Sequence, residues 1–272
     1  MTKGDSNTTV TCFDALMESP VFHSMTYGRS VFYSSRAINK STSNEDALAI
    51  VTVSDNCVVL IIADGMGGLP AGEEASRTVV QHLIESVSRV NRDGLSVRET
   101  ILDGIEEAND ELLIQKKGSG TTLVVAEVQD NWLRTYHAGD SPIMLVGNRG
   151  KIKYSAIPHS PTGYALEAGM IDKAEAMMHE ERHLISNYIG SPDMRVEIGP
   201  SVRIAPRDTL ILASDGLSDN LYDNEIIEIC RKGNIMSCSR KLMTECLKFM
   251  QHPVADRHCH PDDLSFILFR LH

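Results

Sequence analysis

Clustered basic residues are missing from this sequence, which limits the partners that the protein can bind. Asp and Glu number 37 against 26 Lys and Arg, so the formal net charge is −11. Proteins that bind the phosphate backbone of nucleic acids gather basic side chains on one face. We therefore expect no nucleic-acid partner.

Paired cysteines and long hydrophobic runs are also missing. The six cysteines are scattered without a C-x-x-C pair, which argues against a disulfide framework or a zinc site and for a reducing compartment. No run approaches the roughly 20 apolar residues of a membrane-spanning helix, and the N-terminus has no apolar signal segment. We expect a cytoplasmic monomer that does not associate with membranes.

The most informative stretch that is present reads VVLIIADGMGG, over residues 58–68. Its β-branched and apolar first half predicts a strand that is buried on both faces, with Asp64 at its end. Asp followed by Gly is the strongest short signal for a hairpin turn. The glycines would equally let the backbone approach a bound ion. Taken alone, the stretch favours the turn.

The rest of the chain alternates predicted strands and helices. Apolar residues at three- and four-residue steps predict helices over 72–90 and from Ser96 onwards, where Ser96 and Glu99 match a capping box. From residue 119 the period changes to two, which predicts an antiparallel meander up to residue 157. Further strands are expected at 28–33, 48–53, 57–63, 196–204, 208–214 and 264–271, and further helices at 223–232 and 237–250.

Two segments are less regular. Residues 1–25 are interpreted as an N-terminal arm or an edge strand. Residues from about 158 to 190 lose clear periodicity, with one helix expected near 172–183, and long irregular segments of this kind are typical of functional lids. The whole pattern predicts one α+β domain over 1–272, in which two sheets carry helices on their outer faces.

Four aspartates lie at the ends of predicted apolar strands: Asp46, Asp64, Asp215 and Asp262. Each alone would be interpreted as a solvated carboxylate, but two of them repeat the pattern of an apolar run followed by Asp-Gly. If these strand ends converge, the site offers only oxygen ligands, which suit Mg²⁺ or Mn²⁺. Two such ions can clamp a phosphoryl group and activate a water molecule.

Seven short motifs follow one another along the chain: NEDA (44–47), ADGMGG (63–68), SGTTLVVAEV (119–128), HAGDSP (137–142), SNYIGSPD (186–193), ILASDGLSDN (211–220) and DDLSFIL (262–268). In this order they resemble the metal-dependent protein phosphatases of the PPM/PP2C type, and in particular their compact bacterial members. The resemblance covers residues 28 to 270 and implies a β-sandwich of two antiparallel sheets flanked by pairs of α-helices, with residues 158–190 as a flap over the active site.

The resemblance also implies a role for each matching residue, with Asp64, Asp215 and Asp262 central to catalysis. Water activated by two Mg²⁺ or Mn²⁺ ions would attack phosphorus in line, without a covalent enzyme intermediate. The implied ligands are Asp64 bridging both ions, Gly65 through its carbonyl, Asp215 and Asp262 on the first ion, Glu45 and Asp46 largely through water on the second, and Asp140 and Asp219 on a weaker third ion.

Two positions depart from the family. Ser41 stands where many members carry a phosphate-binding arginine, so the nearby Arg36 and Lys40 are candidate substitutes, with surface solvation as the alternative for each. Met66 stands where the eukaryotic members have a histidine that can serve as a general acid. Histidines flanking the irregular segment are candidates for contact with substrate: His159, His179 and His183.

The sequence thus predicts a phosphatase that hydrolyses phosphoserine and phosphothreonine in proteins and opposes a kinase in signalling. The alternative is a catalytically weak or silent relative that binds a phosphorylated partner or regulates a kinase. The missing arginine and histidine favour this alternative. The presence of Asp64, Asp215 and Asp262 opposes it, because silent relatives commonly lose metal ligands.

Overall fold

The computed structural model describes residues 8–38, 40–66, 71–90, 94–252 and 259–272. Its strands form two antiparallel sheets of seven and six strands. The first sheet contains β1 (Thr9–Phe13), β4 (Asp46–Ser54), β5 (Cys57–Asp64), β6 (Leu123–Gln129), β7 (Trp132–Ala138), β10 (Glu197–Ile198) and β11 (Val202–Arg203). The second contains β2 (Val21–Ser24), β3 (Gly28–Ser35), β13 (Leu264–Leu271), β12 (Thr209–Ala213), β8 (Ile143–Val146) and β9 (Ile152–Ser155).

Helices cover the outer faces of both sheets. Helices α1 (Gly72–Val87) and α2 (Val97–Gln115) pack on the first sheet, and α6 (Asp223–Cys230) and α7 (Ile235–Gln251) pack on the second. Three short helices lie near the candidate site: α3 (Pro161–Glu167), α4 (Lys173–Met178) and α5 (Asp215–Ser218). The predicted capping box starts α2, where the Ser96 hydroxyl accepts from the Glu99 N–H. The predicted α+β sandwich is confirmed.

Strand β5 shows why its sequence is a continuous apolar run. Successive side chains of a strand point to opposite faces. Val58, Leu60 and Ile62 therefore enter the core between the two sheets. Val59 and Ile61 enter the core between the first sheet and its helices. Both sets are apolar because water reaches neither face. The strand runs from the centre of the molecule to its edge, where Asp64 ends it.

The expected meander over 119–157 is wrong in one respect, because the chain changes sheets within it. Strands β6 and β7 pair in the first sheet, whereas β8 pairs with β12 and β9 in the second. The crossing takes place at residues 139–142, where Gly139 has a φ of +111° that side chains rarely adopt. Periodicity reports strands but not the sheet that each one joins.

The irregular segment contains two short helices where one was expected. Helix α4 corresponds to the predicted helix but ends earlier, at Met178, and α3 was not predicted. A start signal for α3 was present, since Ser160 caps the helix and Pro161 occupies its first turn. At the N-terminus, β1 and β2 form edge strands of the two sheets. Within the described part of the chain, no helix is both long and apolar enough to cross a membrane.

Candidate active site

The β4–β5 hairpin places two of the predicted carboxylates side by side. Asp46 begins β4 and Asp64 ends β5, and the two residues are direct partners across the antiparallel pair. The pairing continues one residue further, where the Gly65 N–H donates to the Glu45 carbonyl at 3.0 Å. The motifs around 45 and 64 are therefore adjacent because strand register requires it.

Glycine is needed at 65 for close packing and not for the hairpin turn that Asp-Gly favours. Gly65 continues the sheet through a bridge to Thr121. A Cβ at Gly65 would lie 2.3 Å from the Gly72 carbonyl oxygen, and one at Gly216 would lie 2.0 Å from the Asp263 carbonyl oxygen. The turn interpretation is therefore wrong, and both Asp-Gly pairs mark positions where two backbones meet.

The second sheet brings the other carboxylates to the same edge. Strand β12 ends at Ala213 and leads directly into α5, whose first residue is Asp215, while Asp262 precedes the paired strand β13. The Asp215 N–H donates to Asp64 Oδ2 at 3.3 Å, which links the two sheets. A cavity of about 320 Å³ opens here, lined by Glu45, Asp64, Gly65, Met66, Thr122, His183, Ile185, Asp215, Asp262 and Asp263.

Asp46 lies beneath this cavity and is almost completely buried. Its Oδ2 accepts a hydrogen bond of 2.8 Å from the Ser214 hydroxyl. Its Oδ1 has no hydrogen-bond partner among the described residues. Burial, together with the charge of Asp263, raises the pKa of Asp46 to about 7. A carboxylate in this state requires either a proton or a cation.

A nearby positive charge would also stabilise the ionised forms of Asp64 and Asp215. Both are partly accessible from the cavity, but burial in the surrounding protein raises their pKa well above the ordinary value. Repulsion adds to this, chiefly from Asp215 on Asp64 and from Asp219 and Asp262 on Asp215. Crowded carboxylates with an unpartnered oxygen are the ligand set that a hard divalent cation binds. The residues therefore fit Mg²⁺ or Mn²⁺.

Asp140 and Asp219 form a second group beside the first. Burial, then the charge of Asp219, raises the pKa of Asp140 to about 7, and its Oδ1 lacks a partner within the described residues. Asp219 is paired with Arg182 of the irregular segment at 2.5 Å. Asp215 lies between the two groups, because it repels both Asp64 and Asp219. The pair therefore has the surroundings expected for an additional cation, with Arg182 already supplying one charge.

A buried carboxylate, Asp263, holds the loop that carries Lys40 and Glu45. Its two oxygens accept from the backbone N–H groups of Ala37 and Glu45, both at 2.7 Å. The Lys40 ammonium lies 2.6 Å from both Asp263 and Glu45. Sequence reasoning did not identify this clamp. Lys40 is thus fixed near the cavity, while Arg36 makes no ion pair within the described chain.

His159 lies away from the cavity in a buried hydrogen-bonded cluster. Its Nδ1 accepts from the Gly139 N–H at 3.2 Å and the Asn187 amide at 2.8 Å, and its Nε2 lies 3.1 Å from Glu197. Asn187 is oriented by Arg195, whose N–H donates to Asn187 Oδ1 at 2.9 Å. The proton of His159 therefore resides on Nε2 and is donated to Glu197. The structure does not bring this predicted substrate contact to the site.

The same proton argues against a metal ion in that cluster. Ligand atoms of His137, His159 and Glu197 lie within 4.8 Å of one another, and the rings of the two histidines stack at 4.4 Å. A metal on His159 Nε2 would require a proton on Nδ1, which already faces two donors. This cluster therefore ties β7, β10 and the start of the irregular segment together.

Two threonines hold the backbone of Asp64 in place. The Thr121 hydroxyl and the Thr122 N–H both donate to the Asp64 carbonyl at 2.8 Å. The Asp64 N–H in turn donates to the Thr122 hydroxyl at 3.3 Å. These contacts give the SGTT motif a structural role, because they orient the backbone that carries the aspartate.

An apolar groove of about 620 Å³ begins where the cavity ends. Asp215 lines both spaces, and Asp140 and Asp219 also line the groove. Its walls come from the short helices α3 and α4 on one side and from α6 on the other. Its apolar lining includes Leu166, Ala176, Met177, Leu221 and Ile227.

The free energy of unfolding of the metal-free protein is expected to fall as the pH rises from about 4 to about 7. Asp46 and Asp140 have an ordinary pKa of 3.8 that the fold raises to about 7. The folded chain thus holds more protons in this range, and the stability that they provide is lost as the pH passes the folded pKa. Thermal melts in EDTA measure the fall, and Asp46→Asn should reduce it. A metal-free protein that gains stability over this range would contradict the prediction.

Comparisons of the sequence and of the structure with known proteins agree with one another. The profile of the protein phosphatase 2C family matches residues 35–248. The protein phosphatase PhpP of Streptococcus pneumoniae is 34% identical over 200 residues, covering 70% of this chain and 79% of PhpP. The serine/threonine phosphatase stp of Listeria monocytogenes is 29% identical over 203 residues, covering 71% and 80%. The crystal structure of Stp1 from Staphylococcus aureus matches with a TM-score of 0.77 and 27% identity over 89% of this chain and 94% of Stp1.

The sandwich fold, together with the buried carboxylates at its edge, defines a metal-dependent protein phosphatase. The chain belongs to the protein phosphatase 2C family. The predicted family, fold and serine/threonine phosphatase activity are confirmed. The silent relative is not favoured, since the curated relatives are named as phosphatases and the carboxylates converge.

Proposed function

We propose that this phosphatase uses two divalent cations, with Asp64 between them, to hydrolyse phosphoserine and phosphothreonine in proteins. The observation that carries the proposal is the convergence of Asp64, Asp215 and Asp262 on one cavity. Burial and mutual repulsion raise the pKa of Asp64 and Asp215, so bound cations would relieve a large electrostatic cost.

Each carboxylate in the proposal has a separate position. Asp215 and Asp262 come from the second sheet and would hold one ion, while Glu45, Asp46 and the Gly65 carbonyl come from the first sheet and would serve the other. When bound, Mg²⁺ or Mn²⁺ would lower the pKa of a water molecule and stabilise negative charge on the phosphoryl group. A PstP catalytic domain with a related fold is described with two manganese ions.

A third, weaker ion is proposed at Asp140 and Asp219. The raised pKa of Asp140 and its unpartnered oxygen support a cation there. Arg182 competes for the same charge, because its guanidinium already binds Asp219. This competition explains why the third site would bind its ion more weakly than the other two.

Release of inorganic phosphate from a phosphothreonine peptide in Mn²⁺ tests the proposed activity. The chain should turn over the peptide and p-nitrophenyl phosphate alike. A protein that binds Mn²⁺ but releases no phosphate from either compound would instead match the silent relative. A protein that hydrolyses only the small ester would place the substrate outside the phosphoproteins.

Lys40 is the cation that we propose for binding the substrate phosphate. It lies in the loop that precedes Glu45, and two carboxylates fix its ammonium beside the cavity. Because Arg36 makes no ion pair within the described residues, it is held less firmly. Lys40 therefore offers a positive charge already positioned for an anionic substrate.

Replacing Lys40 by methionine should raise the KM for a phosphothreonine peptide about tenfold, because a charge-assisted hydrogen bond is lost. Steady-state kinetics measure the effect, and Lys40→Arg is the control that keeps the charge. Calorimetric titration with Mn²⁺ tests the alternative, in which Lys40 affects metal binding and not substrate binding. An unchanged KM with altered Mn²⁺ affinity would show that Lys40 only neutralises Glu45 and Asp263.

The apolar groove is proposed to hold the polypeptide that flanks the phosphorylated residue. Its continuity with the cavity through Asp215 supports this occupant, since a substrate chain leaving the site would enter the groove. Its apolar walls suit an apolar side chain of the substrate.

Filling the groove with Ala176→Phe should raise the KM for a peptide with apolar flanking residues about tenfold. Hydrolysis of p-nitrophenyl phosphate should stay unchanged, because this substrate has no flanking chain. Ala168→Phe is the matched control, as Ala168 is exposed and lies outside the groove. Equal effects of the two variants on the peptide would contradict this assignment.

In the cell, we propose that the enzyme acts as a cytoplasmic monomer that reverses the action of a protein kinase. The phosphatase relatives support this setting. Co-fractionation with cytoplasmic markers, and phosphoproteins that accumulate when the enzyme is deleted, would test it.

A further inference from the structure

Hydrolysis of a serine or threonine phosphate leaves a strongly basic alkoxide, which must gain a proton as the ester bond breaks. We propose that His183, in the irregular segment, donates this proton. The proposal rests on the proposed function and adds a catalytic residue to it.

The chemistry of the cavity lining singles out His183. The acidic residues of the cavity lining face one another as a ligand set for cations, and a bound cation would keep them deprotonated. Met66, Gly65 and Ile185 offer no proton, and the Thr122 hydroxyl is already shared with Ser141 at 2.6 Å. Among the described lining residues, His183 alone carries an imidazole, the group that exchanges protons most readily near neutral pH.

The position of His183 is set by its neighbours in the chain. The preceding Arg182 is held by its ion pair with Asp219 and donates to the Met177 carbonyl at 3.2 Å. The following residue closes a turn, in which the Leu184 N–H donates to the Glu181 carbonyl at 3.1 Å. Between these anchors, the exposed His183 side chain reaches the cavity without a hydrogen bond to any other described residue.

Charged groups face His183 from two sides. Those across the cavity are Glu45, Asp64, Asp215, Asp262 and Asp263. Asp219 and Arg182 lie on the side of the irregular segment, where Asp219 interacts electrostatically with His183. The His183 side chain therefore faces the carboxylates that would hold the cations on one side and the Arg182–Asp219 ion pair on the other.

Each turnover forms one bond to phosphorus and breaks another. Oxygen of a water molecule forms a bond to phosphorus, and the bond between phosphorus and the seryl or threonyl oxygen breaks. The proton on the His183 ring passes to that departing oxygen, which leaves as a neutral alcohol. The proton lost by the attacking water passes to solvent, and His183 regains a proton from solvent before the next cycle.

A comparison of two substrates tests the proposal. His183→Gln should lower kcat for a phosphothreonine peptide about 100-fold, the usual contribution of a general acid. It should change kcat for p-nitrophenyl phosphate less than about twofold, because nitrophenolate leaves without a proton. His252→Gln is the control, since this exposed histidine at the end of α7 lines neither the cavity nor the groove. It should change neither rate.

The outcomes separate this inference from the function on which it rests. Equal losses of His183→Gln on both substrates, or no loss on either, would overturn the role of His183 while wild-type turnover upholds the phosphatase. Wild-type protein that hydrolyses neither substrate would overturn the proposed function itself. Calorimetric titration with Mn²⁺ checks that the variant still binds metal, so that a peptide-specific loss supports proton donation.

Discussion

Asp64→Asn is expected to lower kcat by on the order of 1,000-fold or more, on peptide and on p-nitrophenyl phosphate alike. Asp64 is the carboxylate at which both sheets meet, since it opposes Asp46 in β4 and accepts from the Asp215 backbone. The substitution keeps the shape of the side chain and removes its charge. Because both proposed cations would lose a ligand, the rate should fall even for p-nitrophenyl phosphate, whose leaving group departs without a proton.

The same variant should leave the metal-free protein as stable as the wild type, or more stable. Burial raises the pKa of Asp64, so its charge disfavours the folded state when no cation is bound. Loss of activity without loss of stability would distinguish a functional carboxylate from a structural one. The exposed Asp110→Asn on α2 is the matched control and should change neither property. Activity of Asp64→Asn within tenfold of the wild type would contradict the account.

Chelation is the second change with a large expected effect. EDTA should abolish hydrolysis of both substrates, and added Mn²⁺ or Mg²⁺ should restore it, because the water nucleophile depends on the cations. Binding should also stabilise the fold, by about 3 kcal/mol when the free ion is 100-fold above its dissociation constant. Thermal melts with and without Mn²⁺ measure this increase. Hydrolysis that continues in EDTA would rule out the metal mechanism.

The position of the site could be predicted from the sequence because strand ends carry its main residues. Antiparallel strands joined by a short turn bring their outer ends together, so Asp46 and Asp64 had to be neighbours. The second Asp-Gly, at Asp215, follows a strand in the same way. The local sequence pattern was therefore sufficient to predict where these residues lie.

Residues that act through distant partners could not be predicted in this way. Asp263 clamps the loop of Lys40 across 223 positions of the chain, and Asp219 binds Arg182 across 37. His159 was expected to contact substrate, yet its hydrogen bonds depend on Asn187 and Glu197, far along the chain. No local periodicity records such contacts, because they arise only when the two sheets and the irregular segment pack together.

The reason for the glycines also emerged only from packing. Asp-Gly predicted a turn at residue 65, whereas Gly65 extends the strand and leaves no room for a Cβ. Sequence statistics associate the dipeptide with turns. The close approach of the Gly72 backbone explains it instead.

Calorimetric titration of the purified protein with Mn²⁺ tests the central claim most directly. The account predicts two ions bound in the micromolar range to the wild type, a third bound more weakly, and loss of the tight binding in Asp64→Asn. Wild-type protein that binds no Mn²⁺ in that range, or an Asp64→Asn variant with the same stoichiometry and affinity, would contradict it.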